Sequence, residues 1–113
     1  MIDLESVEAV NKSTYRKVFR KPLYDSYYFS RIPSEIESML EGEYETVILL
    51  FVDGFGWTFS EKYADQFDLF KESHVTKLTS QFPSTTAAHV TTIHTGLEVG
   101  QTGIYEWFHY EPL

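Results

Sequence analysis

The stretch Thr46-Val47-Ile48-Leu49-Leu50-Phe51-Val52 is a continuous run rich in β-branched residues that ends abruptly at Asp53-Gly54-Phe55-Gly56. Its length suits a strand, and the lack of polar alternation means that both faces are apolar. Such a strand belongs in a parallel sheet covered by helices. The run is far shorter than the roughly 20 residues needed to cross a bilayer.

The flanking segments read as the covering helices. A short helix is expected around Ile2 to Val10. Ile32, Ile36, Met39 and Leu40 recur at helical spacing, with Pro33 in the first turn and Gly42 as the stop. Phe59, Tyr63, Phe67 and Phe70 form a helical stripe, with Glu61, Lys62, Asp65 and Asp68 off it. A second strand is expected over Val75 to Ser80, and it leads through Gln81-Phe82-Pro83-Ser84-Thr85 into a helix from Thr86 to about Thr95, closed by Gly96. The order strand, helix, strand, helix predicts an α/β fold: a sheet of mainly parallel strands with right-handed crossovers and helices on its faces. Residues 1–31 carry no clean period.

Composition removes several classes. The chain has 113 residues, with 9 Lys plus Arg against 17 Asp plus Glu, for a net charge of −8. A nucleic-acid binder is unexpected, because phosphate neutralisation needs clustered cations. Five basic residues (Lys12, Arg16, Lys17, Arg20, Lys21) do fall close together, interleaved with Tyr15 and Phe19, which reads either as a solvated segment or as a small patch for an anionic partner. With no Cys, disulfides, thiolate zinc sites and a cysteine nucleophile are excluded. The acidic start, Met1-Ile2-Asp3-Leu4-Glu5, lacks the order of a secretory signal, so a cytoplasmic setting with no membrane partner is expected.

In an open α/β sheet, ligands bind beyond the carboxyl ends of the strands. Asp53 follows the first strand, and Gly54 and Gly56 let the backbone turn sharply there. The second strand delivers Ser84, Thr85 and Thr86 to a helix start, where free N–H groups favour an anion such as phosphate. A free hydroxyl is a weak nucleophile that needs a base or a metal ion. A zinc held partly by Asp53, with a second metal about 4 Å away, would supply in-line phosphoryl transfer. The plain alternatives are a loop-turning Asp and an ordinary Ser/Thr N-cap. His89 reads as a packing or surface histidine. His89 and His94 are five apart, which does not place both on one helix face for zinc, and His109, between Phe108 and Tyr110, reads as a packing residue.

Taken together in order, Val47 to Trp57, Phe82-Pro83-Ser84-Thr85-Thr86-Ala87-Ala88, Thr95-Gly96-Leu97 and Gly100-Gln101-Thr102-Gly103-Ile104-Tyr105-Glu106-Trp107 resemble the type I phosphodiesterase/nucleotide pyrophosphatase family of the alkaline phosphatase superfamily. The resemblance implies a metal-dependent hydrolase of phosphoric esters or nucleotides. Asp53 would be a zinc ligand, and Thr86 the nucleophile, a second metal donor and the site of a phospho- or nucleotidyl-enzyme intermediate. Thr85 and Trp107 would face the substrate, Trp107 standing where nucleotide pyrophosphatases usually have Asn. Two divalent metal ions, zinc by resemblance, would need further Asp and His ligands that lie later in the family's chains. On that reading residues 1–113 are the N-terminal part of one alkaline-phosphatase-like catalytic domain, 1–31 are an extension, and the chain alone is inactive. A phosphosugar mutase of the same superfamily and a non-catalytic α/β phosphate- or partner-binding domain are the alternatives.

Overall fold

The computed structural model describes residues 1–42, 44–108, 110 and 112. Helix α1 spans Leu4–Lys12, two residues later than the sequence suggests. Asp3 caps it, accepting from the Ser6 amide, with Glu5 in the first turn and Lys12 in the last, so both ends match the helix dipole. Ile2 is thereby freed for strand-like pairing with Val75. A hairpin follows: β1 (Thr14–Tyr15) pairs antiparallel with β2 (Phe19–Arg20) across a tip in which Arg16 and Lys17 adopt positive φ, 47° and 68°. Four of the clustered cations, Arg16, Lys17, Arg20 and Lys21, are thus gathered on or beside one small hairpin.

After a 3₁₀ turn at Phe29–Arg31 comes α2, Ile32–Glu41, with Pro33 in its first turn and Gly42 behind it, as the spacing predicts. The aromatic stripe does not make one helix. It divides into α3 (Trp57–Tyr63), a 3₁₀ turn at Ala64–Gln66 and α4 (Asp68–Glu72), with Phe67 extended at the break. Aromatic and Asp residues are weak helix formers, so ring packing decides the path. Breaking the helix lets Phe59, Phe67 and Phe70 surround Phe55, at centroid separations of 5.0, 6.5 and 6.4 Å.

Residues 75–79 are the extended centre of the molecule. Val75 bridges Ile2 and Thr79 bridges Tyr28, both in parallel. Positions four apart on an extended chain point their backbone groups to the same edge, so residues 1–3 and 27–29 line up along one side of this segment. Among the described residues the only ladder is the β1–β2 hairpin, and the expected sheet of mainly parallel strands is represented by those two isolated bridges. Residues 46–52, expected as the central strand, belong to no ladder among the described residues. Ile48 and Leu50 are 88% and 83% exposed. The reason is geometric: a strand apolar on both faces is held by neighbours on both edges and by covering helices, and the described residues supply no ladder partner for it.

Helix α5, Thr86–Thr95, starts and stops where the sequence indicates, with Thr85 as N-cap and Gly96 left-handed at φ 69°. A short helix α6, Val99–Thr102, follows behind a Glu98/Gln101 capping box. Gln81, 2% exposed, fastens the two together. Its Nε2 donates to the Ala88 carbonyl (3.1 Å) and to Thr92 Oγ1 (2.7 Å), while its Oε1 accepts from the Val99 amide (3.3 Å). Gln81→Met keeps the volume and removes all three bonds, so it should lower unfolding stability by about 1–3 kcal/mol. Urea denaturation checks this, and a loss below about 0.5 kcal/mol would show that the three bonds add nothing net.

Candidate functional site

The end of the apolar run and the start of α5 meet in a cavity of about 420 Å³. One wall is the turn from Phe51 to Gly56, in which Gly54 adopts φ +75°, a conformation that a side chain would strain. The other wall is Ser84, Thr85, Thr86 and His89, with Ser80 at the base of the loop. Asp53 and Thr86 are 33 positions apart in sequence. Thr86 Oγ1 donates to Asp53 Oδ2 at 2.6 Å, a charge-assisted bond of the shorter kind.

The three neighbouring hydroxyls are in different situations. Thr85 Oγ1 donates to the Tyr105 carbonyl (2.7 Å) and accepts from the Ala88 amide (3.3 Å), so it is engaged as the helix cap and as an anchor for the loop after α6. The Thr85 carbonyl accepts from the His89 amide (3.1 Å) and lies 2.7 Å from His89 Nδ1. A carbonyl only accepts, so this contact is a hydrogen bond in the tautomer whose Nδ1 bears the ring proton. Ser84 lines the cavity and is exposed. Thr86 alone among the three meets the carboxylate.

His89 packs, as expected, and also borders the site. Its ring stands edge-on to Phe29 at 4.4 Å, and Phe29 in turn meets Phe51 at 5.8 Å. Phe29 therefore lies between the residue two before Asp53 and the residue three after Thr86. Sequence reasoning did not pick out Phe29 or Ser80; the aromatic stretch Tyr24 to Phe29 has no period that would single out one ring. Trp107 is 64% exposed, is absent from the cavity lining, and its amide donates to Glu106 Oε1. The structure brings Asp53, Thr85 and Thr86 together and leaves Trp107 outside. His109 lies outside the described residues.

A cation at this site would find the Asp53 carboxylate and the Thr86 hydroxyl. Among the described residues no group of three or more His, Asp or Glu side chains could hold a metal ion, whereas catalytic zinc ordinarily takes three protein ligands. These residues do not by themselves fit a zinc centre.

A family model for type I phosphodiesterase / nucleotide pyrophosphatase matches residues 47–113. The chain belongs to this family. The matched region begins with the apolar run and contains Asp53, all of α5 and the loop that Thr85 holds. No curated protein and no solved structure gives a significant match. Type I phosphodiesterases are in general metal-dependent hydrolases of phosphoric esters, and no helix among the described residues is long and apolar enough to cross a membrane.

Proposed function

We propose that this chain carries the nucleophile-bearing part of a metal-dependent hydrolase of phosphoric diesters or nucleotide pyrophosphates, with Thr86 as the nucleophile. The observation that carries the reading is the 2.6 Å bond from Thr86 Oγ1 to Asp53 Oδ2 at the N-terminus of α5. The carboxylate orients the hydroxyl, and the unpaired amides of the first helical turn favour the negative charge of a phosphoryl group. Ser84 is exposed at the rim, and Thr85 is engaged in the cap, which supports Thr86 over both as the attacking group.

As Thr86 Oγ1 attacks phosphorus its proton passes to solvent and the bond to the leaving oxygen, which takes a proton from solvent, breaks to give an ester to the enzyme. Water then cleaves that ester, its oxygen going to phosphorus and a proton to Thr86 Oγ1, which restores the hydroxyl. The cofactor we propose is a pair of divalent metal ions, zinc by family resemblance, for which Asp53 and Thr86 supply only part of a donor set. Thr85 enters through the cap that sets the start of α5. The assignment of Trp107 to the substrate rests on the resemblance, and the setting we propose is cytoplasmic. Two isolated parallel bridges support a sheet of mainly parallel strands as the frame.

Comparing the intact protein's rates on a bis-nitrophenyl phosphodiester and a nitrophenyl phosphomonoester tests the substrate class. The diester should be cleaved faster. Faster monoester cleavage would overturn the phosphodiesterase reading and favour a phosphomonoester or mutase chemistry.

A further inference from the structure

A second cavity, of about 380 Å³, lies beside the hairpin and is lined in part by Lys17, Arg20, Trp57, Thr58, Lys77 and Ser80. The volume is within the roughly 300–1,000 Å³ of small-molecule sites. None of its lining residues is acidic, in a chain with 17 Asp plus Glu and only 9 Lys plus Arg. Among the described residues, none of Lys17, Arg20 and Lys77 forms an ion pair; the pairs present are Lys12–Glu8, Arg31–Glu35 and Lys71–Asp68.

Lys77 is the most constrained of the three, at 9% exposure. Its ammonium donates to Asn11 Oδ1 at 2.9 Å and sits 4.9 Å over the Trp57 ring. A neutral carbonyl and a ring face stabilise a cation without neutralising it. Burial pushes the Lys77 ammonium below its ordinary range; the Glu61 carboxylate works in the opposite direction and the Arg20 guanidinium adds to the lowering. Trp57 also keeps its indole Nε1–H buried with no hydrogen-bond partner among the described residues. A buried donor left unmade is costly, and the Lys77 ammonium is held by a neutral carbonyl and a ring face with no ion-pair partner among the described residues.

We infer that this cavity binds a tetrahedral oxyanion, phosphate or the phosphoryl group of a small organic phosphate, between Lys77 and the hairpin cations Lys17 and Arg20. Thr58 and Ser80 add hydroxyl donors to the lining. Ser80 also lines the cavity that holds Asp53 and Thr86, so the two sites adjoin at one residue while using different charges. The inference does not depend on Thr86 being a nucleophile.

Titrating the 113-residue chain with inorganic phosphate, and separately with AMP, by calorimetry at low salt tests it. A saturable site that survives Thr86→Ala is expected, with the Trp57 indole N–H resonance shifting in step. Affinity should fall at least tenfold in the Lys17→Gln/Arg20→Gln double variant, whose side chains are exposed and whose fold should persist, and should also fall in Lys77→Met. Thr86→Ala should leave it unchanged. Tighter binding of AMP than of phosphate would identify an organic phosphate as the ligand, and equal binding would identify the ion. Absence of saturable binding of either probe, or binding lost in Thr86→Ala and untouched in the hairpin variant, would overturn the inference.

Discussion

With Thr86 as the proposed nucleophile, Thr86→Ala should lower kcat/KM of the intact protein on a phosphodiester by on the order of 10³-fold or more, since the hydroxyl proposed to form the enzyme ester is gone. The fold should tolerate the change. Thr86 is the first residue of α5, and the helix cap is Thr85, whose bonds to Ala88 and Tyr105 do not involve the Thr86 side chain. Alanine is moreover the best helix former. An unchanged melting temperature with lost turnover is therefore the expected pair of results. Thr86→Ser, which keeps an oxygen at the same place, should retain a measurable fraction. If Thr86→Ala kept near-full activity while Ser84→Ala abolished it, the nucleophile would be the exposed serine at the rim and the Asp53 contact would be structural.

Asp53→Asn should cost on the order of 10²–10³-fold in kcat, the usual penalty for removing a carboxylate positioned against the attacking hydroxyl's proton. An amide oxygen can still accept from Thr86 Oγ1, so the hydrogen bond can persist while the negative charge is lost. That separates two roles for Asp53. If it also donates to a metal, the zinc concentration that gives half-maximal activity should rise at least tenfold in the variant. A fall in kcat with an unchanged zinc dependence would confine Asp53 to orienting the threonine. Unchanged kcat and zinc dependence together would remove it from the reaction.

Much of the local structure was legible in the sequence because it is written in neighbouring residues. Pro33 and Gly42 bound α2, and Thr85 and Gly96 bound α5, through chemistry that acts within one or two turns. Asp53 and Thr86 could be singled out as a strand-end acid and a helix-start hydroxyl, although nothing in their spacing states that they touch. The aromatic stripe misled because helical spacing records which rings could share a face, whereas Phe55, outside the stripe, gathers them around a broken helix. The apolar run misled in another way. Its composition reports the surroundings in which such a strand is stable, and among the described residues those surroundings are absent. Phe29 was illegible because its role depends on two partners, Phe51 and His89, that lie 22 and 60 positions downstream.

The bracing by Phe29 has a consequence for where this protein can be divided. The family's motifs begin at residue 47, yet the ring between the Asp53 turn and α5 comes from before that boundary. So do Tyr24, whose hydroxyl accepts from the Phe82 amide, and Tyr28, which donates to Glu98 Oε1 at 2.5 Å. The inherited unit and the mechanical unit therefore do not coincide. Residues 24–29 act as a splint on the segments that carry Asp53 and Thr86, and a domain boundary drawn at the start of the shared motifs would cut through the contacts that hold those segments together.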